Sequence, residues 1–192
     1  MTDTNSSGVE RRPQSGRPYS DQSNLLLVAP PTRDRPEPLA DASLATTNVL
    51  FVSYRDTTDA VVSRFRESEG GMPTTLGVVD VGGMARSSAR TASLTISPAV
   101  SATTVRSDDV SGLGTAVSEF LAEWDERTVL WFDSVTALVR HAGLETAFRF
   151  LHVLVHRIKS AGARAYYRLD DGVHEQETMA TIETVFDGCV EP

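Results

Sequence analysis

Short apolar runs rich in β-branched residues alternate along this chain with segments of helical periodicity. The predicted strands are Asn24–Ala29, Asn48–Ser53, Thr75–Val81, Thr128–Asp133, 163–169 and a short final strand at 186–191. The predicted helices are 38–46, 57–68, 112–125, 143–160 and 175–185. Strands buried on both faces are apolar throughout, and strand–helix alternation builds parallel sheets. The pattern therefore predicts an α/β fold with a mostly parallel sheet and helices on both faces.

The predicted helix 143–160 shows its two faces clearly. Its apolar stripe, at steps of three and four, consists of Leu144, Ala147, Phe148, Leu151, Leu154, Val155 and Ile158. The opposite, solvent-exposed face consists of Glu145, Arg149, His152, His156 and Lys159. Gly162 follows the last turn, where a glycine commonly ends a helix.

Outside these elements the composition changes. Residues 1–22 are rich in Ser, Thr, Pro, Gly and Arg and lack periodicity, so we expect a disordered N-terminal tail. Residues 23–192 are then a single α/β domain. The Gly/Ser/Arg-rich stretch 82–93 is expected to be a flexible loop.

The composition is that of an ordinary globular protein. Of 192 residues, 40% are hydrophobic and 23% charged, which is enough for one sizeable core. No apolar run approaches the ~20 residues that cross a bilayer, and the polar N-terminus lacks a secretory signal. A single cysteine, Cys189, excludes an internal disulfide and a cysteine-based zinc site, and it is interpreted as a small buried residue. We therefore expect a cytoplasmic protein without a membrane partner.

The charge is strongly acidic, with a net charge of −8. Binding of nucleic acid through a broad basic face is disfavoured, because phosphate contacts need surplus Lys and Arg. Lys159 is the only lysine beside seventeen arginines. Two explanations remain open for this bias: a salt-rich cytoplasm, which favours acidic surfaces, or a GC-rich genome, which replaces Lys by Arg.

The segment after the first strand lies where a phosphate-binding loop, GxxxxGK[ST], stands in P-loop proteins. Laid on that pattern, Asp34 replaces the second glycine, Arg35 the lysine and Pro36 the hydroxyl residue, with Arg33 beside them. Asp34 would repel a polyphosphate, and Pro36 has neither an N–H nor a hydroxyl to offer. The alternative is an ordinary polar connection with proline early in a helix.

Two other strand ends carry carboxylates. Asp133 follows four apolar residues, as the magnesium-orienting aspartate of a Walker B strand does, although an aspartate there also caps turns. Asp56 and Asp59 follow the second predicted strand and could polarise a water, although Asp59 could equally start the next helix.

Two further candidates have simpler interpretations. His152 and His156 are four apart and could ligate a metal, but no third ligand is evident and a solvated pair is favoured. Ser134 lacks the Gly-x-Ser-x-Gly elbow of a nucleophile. We expect neither a metal site nor a cofactor.

The order of these segments resembles the RecA/KaiC-like branch of the P-loop ATPases, and most closely the short KaiC-related proteins of halophilic archaea. The matching segments are NLLLVAPP, NVLFVSYRDT, LGVVDV, SGLGTAVSEFL, VLWFDSVTAL, FRFLHVLVHRIKSAGARAYYRLD and HEQETMATIETVFDGCVE. The resemblance implies a RecA-like core, a cytoplasmic setting and a tendency to form homo-oligomers.

The chain departs from the catalytic pattern of that family. The phosphate loop is lost at Arg33–Pro36, and the family's paired glutamates fall at Arg55 and Asp56; only Asp133 survives. The leading hypothesis is a catalytically inactive relative that acts as a regulatory or protein-interaction module, its partner being an ATPase or a signalling protein. The alternative is an atypical nucleotide-binding ATPase that uses Arg33, Arg35 and Asp133. A third, DNA-associated regulator is opposed by the net charge.

Overall fold

The computed structural model describes residues 11–12, 22–30, 44–68, 70–82, 93–97, 99–124 and 127–190. The strands are β1 (Arg11–Arg12), β2 (Asn24–Ala29), β3 (Asn48–Ser53), β4 (Thr75–Val81), β5 (Ser93–Ser97), β6 (Val100–Val105), β7 (Thr128–Asp133), β8 (Arg164–Asp170) and β9 (Gly188–Val190). The α-helices are α1 (Thr58–Glu67), α2 (Val110–Glu123), α3 (Val135–Ala142), α4 (Leu144–Ser160) and α5 (Gln176–Glu183), with a 3-10 turn at Leu44–Thr46.

The nine strands form one sheet in the order β1-β9-β2-β8-β7-β3-β4-β6-β5. The seven inner strands run parallel, and only the two edge strands, β1 and β5, pair antiparallel with their neighbours. This is a mostly parallel α/β sheet, as the strand–helix alternation predicts, and its arrangement is RecA-like, as the resemblance implies. Strand β8 lies between β2 and β7, so the two strands that resemble the phosphate-loop strand and the Walker B strand are not neighbours.

Helices cover both faces of the sheet because alternate strand residues point in opposite directions. On β3, Leu50 and Val52 pack into a core shared with α2, α3, α4 and α5, whereas Val49 and Phe51 pack into a second core with α1. All four side chains are at most 1% exposed. Burial on both faces is the physical reason that the central strands are apolar throughout their length.

Four predicted strands have the predicted bounds, and the bounds of the other two shift by one or two residues. Three elements were not predicted: β5 and β6, whose Ser- and Thr-rich residues form no apolar run, and α3, which follows β7 directly. Of the helix expected at 38–46, residues 38–43 lie outside the described residues, and Leu44–Thr46 form a 3-10 turn. Residues 83–92 of the expected loop also lie outside them.

The expectation of a disordered tail over residues 1–22 needs a correction. Arg11 and Arg12 pair with β9 and form strand β1. Gln22, at the end of the same segment, is buried. The other residues of 1–21 lie outside the described part of the chain.

The helix starts have local causes. Each of Thr57, Asp109 and Ser134 stands just before a helix and accepts a hydrogen bond from the third residue on, as N-cap side chains do. Asp59 lies exposed in the first turn of α1, in agreement with the simpler interpretation of this residue. Gly143 separates α3 from α4 with a φ of 80°, a conformation that favours glycine.

The amino-terminal edge of the sheet holds the only lysine. Lys159 Nζ, at the end of α4, lies 2.5 Å from Asp187 Oδ1, and Asp187 Oδ2 accepts hydrogen bonds from the backbone N–H groups of Ser23 and Asn24. Asn24 begins β2, so Lys159 lies at the opposite edge from the carboxyl ends of the strands. No helix in the described ranges is both long and apolar enough to cross a membrane.

Candidate functional site

The carboxyl ends of four neighbouring strands, β2, β8, β7 and β3, meet at one edge of the sheet. The strand registers place Ala29 beside Asp170, Arg168 beside Asp133, and Asp133 beside Ser53. In open parallel α/β sheets, ligands bind beyond this edge. It is therefore the candidate functional site.

A buried arginine, Arg168 of β8, occupies the centre of this edge. Its Nη1 lies 3.8 Å from Asp133 Oδ1, and its Nε lies 3.6 Å from Asp170 Oδ1. Its Nη2 donates a hydrogen bond of 2.9 Å to the carbonyl of Pro30, directly after β2. The guanidinium therefore spans the space from the end of β2 to the end of β7.

The turn after β3 brings a second arginine to the same edge. Arg55 Nη1 lies 3.8 Å from Asp170 Oδ1, and Asp56 forms an ion pair with Arg64 of α1. Ser53 Oγ holds the turn by accepting hydrogen bonds from the N–H groups of Arg55, at 3.2 Å, and Asp56, at 2.8 Å. Each of the three carboxylates, on Asp56, Asp133 and Asp170, therefore faces at least one arginine. We call these three carboxylates with Arg55, Arg64 and Arg168 the edge cluster.

Asp133 is the most buried carboxylate of the edge cluster, with 4% of its surface exposed. Its backbone carbonyl accepts a hydrogen bond of 2.7 Å from the N–H of Tyr54. Burial raises the pKa of the Asp133 carboxyl, and the positive charges of Arg168 and Arg55 oppose this rise. Its Oδ1 accepts no hydrogen bond from the described residues.

The structure brings together three of the residues that the sequence singled out: Asp133, Arg55 and Asp56. Arg33, Asp34, Arg35 and Pro36 lie outside the described residues. His152 and His156 lie on the exposed face of α4. Ser134 has a structural role, because its Oγ accepts the hydrogen bond from Ala137 N that caps α3.

Three site residues, Arg168, Asp170 and Thr136, escaped the sequence analysis. Asp170 is fixed because its N–H donates a hydrogen bond of 2.9 Å to Thr136 Oγ1. The available signal was a charged residue inside the segment AYYRL, two positions before the end of β8. Charged residues are rarely buried unless they are paired, so Arg168 pointed to a carboxylate partner.

The edge cluster is a poor match for a magnesium–nucleotide site. A divalent cation at the Asp133 carboxylate would lie close to the Arg168 guanidinium. Two like unit charges 4 Å apart cost about 4 kcal/mol at an effective dielectric of 20, and a divalent ion about doubles this. Each carboxylate of the edge cluster instead forms an ion pair with at least one arginine. Within the described ranges, no group of three or more His, Cys, Asp or Glu side chains could hold a metal ion.

Comparison with known proteins places the chain in a family but assigns it no activity. A search of curated proteins found no match. The model of DUF7504, a family of unknown function, matches residues 22–192, which include every described helix and every strand except β1. Because this match covers most of the sequence, the chain belongs to the DUF7504 family.

Proposed function

We propose that this protein is a catalytically inactive RecA/KaiC-like ATPase relative that acts as a regulatory or protein-interaction module. One observation carries the proposal: the Arg168 guanidinium lies between the end of β2 and Asp133, the space that a nucleotide phosphate and its metal would share. A cation fixed there takes over the charge neutralisation that magnesium would supply. The fold is retained while the polar edge becomes an internal ion-pair network.

The turn after β3 supports the same proposal. Paired glutamates at this place would orient and polarise an attacking water, and here the positions hold Arg55 and Asp56. A guanidinium cannot act as a general base, because it stays protonated in proteins. Asp56 is held by Arg64. Neither side chain is therefore suited to accept a proton from water.

The placement of Lys159 adds a third argument. A phosphate-binding loop uses a lysine as a compact positive charge near the β- and γ-phosphates. The only lysine of this protein instead pairs with Asp187 beside the start of β2, at the far edge of the sheet. Phosphate binding would therefore depend on arginine alone.

A second candidate is an atypical nucleotide-binding ATPase that uses Arg33, Arg35 and Asp133. It is favoured by the distances of 3.6 to 3.8 Å at which Arg168 and Arg55 stand from their carboxylates. These distances exceed those of direct hydrogen bonds, so a nucleotide phosphate could compete for the same guanidinium groups.

Isothermal titration calorimetry with ATP and Mg²⁺ separates the two candidates. Under the leading proposal, no saturable binding occurs at millimolar ATP, and phosphate release does not exceed the buffer background. Saturable micromolar binding that is lost in both Arg35→Ala and Asp133→Asn would overturn it and establish the ATPase. Arg66→Ala, an exposed change on α1, is the matched control for loss of an arginine.

The second half of the proposal is that this protein binds another protein. An ATPase, a signalling protein or a second copy of this chain is the kind of partner that an inactive RecA-like module would bind, in a cytoplasmic setting and without a membrane. Affinity capture with the tagged full chain in a lysate at native salt should enrich one such partner. Recovery of only background proteins, with a monomeric mass by light scattering, would contradict this half.

A further inference from the structure

We propose that the groove between α2 and α4 is a docking site for an acidic amphipathic helix of a partner protein. This inference rests on the proposed function, because it assigns a binding surface and a type of partner to the interaction module proposed above. The groove is distinct from the edge cluster.

The groove consists of two adjoining depressions. One has a volume of about 600 Å³ and the other about 480 Å³, and both are lined by Val153 and Arg157 of α4. Because they share these residues, they adjoin along the two helices and together form the channel considered below. Helix α4 has 17 residues, and at 1.5 Å per residue it is about 25 Å long. The channel therefore suits a partner helix of about four turns.

The floor of the groove is apolar where a helix surface is usually polar. Val153 is 53% exposed and lies on the solvent-exposed face of α4, next to His152 in the sequence. Leu121 of α2 and Phe150 of α4 are partly buried beside it and line the same groove. Among the described residues only Val153 and Val173 are large hydrophobic side chains with substantial exposure. A partner's aliphatic side chains would cover this floor.

The charged side chains of the lining are arginines, and two histidines lie beside them. They are Arg149 and Arg157, with His152 and His156, and no Asp or Glu lines either depression. Glu145, one turn before Arg149 and paired with it, is the nearest acid on α4. On a chain whose net charge is −8, this is an unusual surface. Charge complementarity therefore points to an acidic partner, and the apolar floor points to an amphipathic helix.

The test uses designed peptides as the probe. Each is a fluorescein-labelled, capped 16-residue helix with Leu at i, i+4, i+7 and i+11, and the flanking positions are either Glu or Lys. Fluorescence anisotropy at ~0.15 M KCl measures binding to the full chain. We expect saturable binding of the Glu peptide in the micromolar range and at least tenfold weaker binding of the Lys peptide.

Two variants locate the binding. Val153→Asp places a charge on the apolar floor, and Arg157→Glu reverses the shared positive charge, so each should weaken binding of the Glu peptide at least tenfold. Arg66→Glu, an equal charge reversal on α1 at the other face of the sheet, should change binding less than twofold. Circular dichroism melting of each variant confirms that it is folded.

Four outcomes would overturn the proposal: no saturable binding, equal binding of the Lys peptide, equal weakening by Arg66→Glu, or a dimer of the wild type that Val153→Asp abolishes. The last would assign the groove to a second copy. Calorimetry with ATP and Mg²⁺ on the same samples reports on the proposed function separately. Nucleotide binding would contradict that function without affecting the peptide result.

Discussion

The ion pairs of the edge cluster illustrate what burial does to a single charge. Asp133 and Arg168 lose most of their hydration at the strand ends, which costs several kcal/mol per ion before any pairing offsets it. Arg168 recovers part of this cost with a hydrogen bond to Pro30 and ion pairs to two carboxylates. Removing one member would leave its partner charged and buried. The edge cluster is therefore expected to behave as a unit in mutagenesis.

The pKa of Asp133 leads to a prediction on pH dependence. Burial raises this pKa in the folded protein above the ordinary value of 3.8, so the folded state holds the proton more tightly than the unfolded state. The free energy of unfolding that this carboxyl contributes is therefore greatest below its unfolded pKa and falls as pH rises through the folded pKa. Asp133→Asn removes that titration, so wild-type stability should fall relative to the variant as the pH rises from about 4 through the folded pKa.

Urea unfolding of both proteins across this range measures the effect. Asp59→Asn removes the same charge from an exposed position on α1 and serves as the matched control. A difference between the wild type and Asp133→Asn that stays constant with pH, or that grows in favour of the wild type, would show that burial does not dominate at Asp133.

At the scale of elements, α2 packs closely on β4 at Gly77. A Cβ added at Gly77 would lie 2.8 Å from Phe120 Cε1 and 2.8 Å from Trp124 Cη2. These two rings contact each other at a tilt of 57° with centroids 5.1 Å apart, so a shift of one would disturb the other. The glycine sets the distance between this helix and the sheet.

We therefore predict that Gly77→Ala destabilises the protein by about 1–3 kcal/mol through overpacking. Gly114→Ala on the same helix is the matched control, because its Cβ would meet Phe150 at an ordinary 3.6 Å. In a helix interior, that change should stabilise by about 0.5–1 kcal/mol. Chemical denaturation measures both. Equal effects of the two substitutions would contradict the tight contact.

At the scale of the whole molecule, the net charge of −8 leads to a prediction on salt. An acidic surface repels itself in dilute buffer, and the Debye length falls from about 30 Å at 0.01 M salt to about 3 Å at 1 M. If the arginine bias reflects a salt-rich cytoplasm, the melting temperature should rise markedly between these concentrations of KCl. Sucrose at matched osmolality is the control for non-ionic stabilisation. A flat or falling curve in KCl would favour the GC-rich explanation.

The sequence by itself determined the elements that have strong local signals. Burial on both faces makes an inner parallel strand a continuous apolar run, and for this reason the bounds of β2, β3, β4 and β7 could be predicted without a structure. The stripe of α4 was predictable from its 3.6-residue period. β6 was missed because its Ser and Thr positions dilute the apolar signal, although four of its six residues are buried.

The composition of the site was predictable only in part. Asp133 and Asp56 were found because they stand at or just after the ends of recognisable strands, and carboxyl ends of parallel strands converge. Arg55 was found because the family resemblance pointed to its position. The tertiary structure alone decided that β8 lies between β2 and β7, and therefore that Arg168 neutralises Asp133. Strand order depends on long-range packing of helices on the sheet, which no local pattern encodes. For the same reason only the packing of α2 against α4 revealed the groove around Val153.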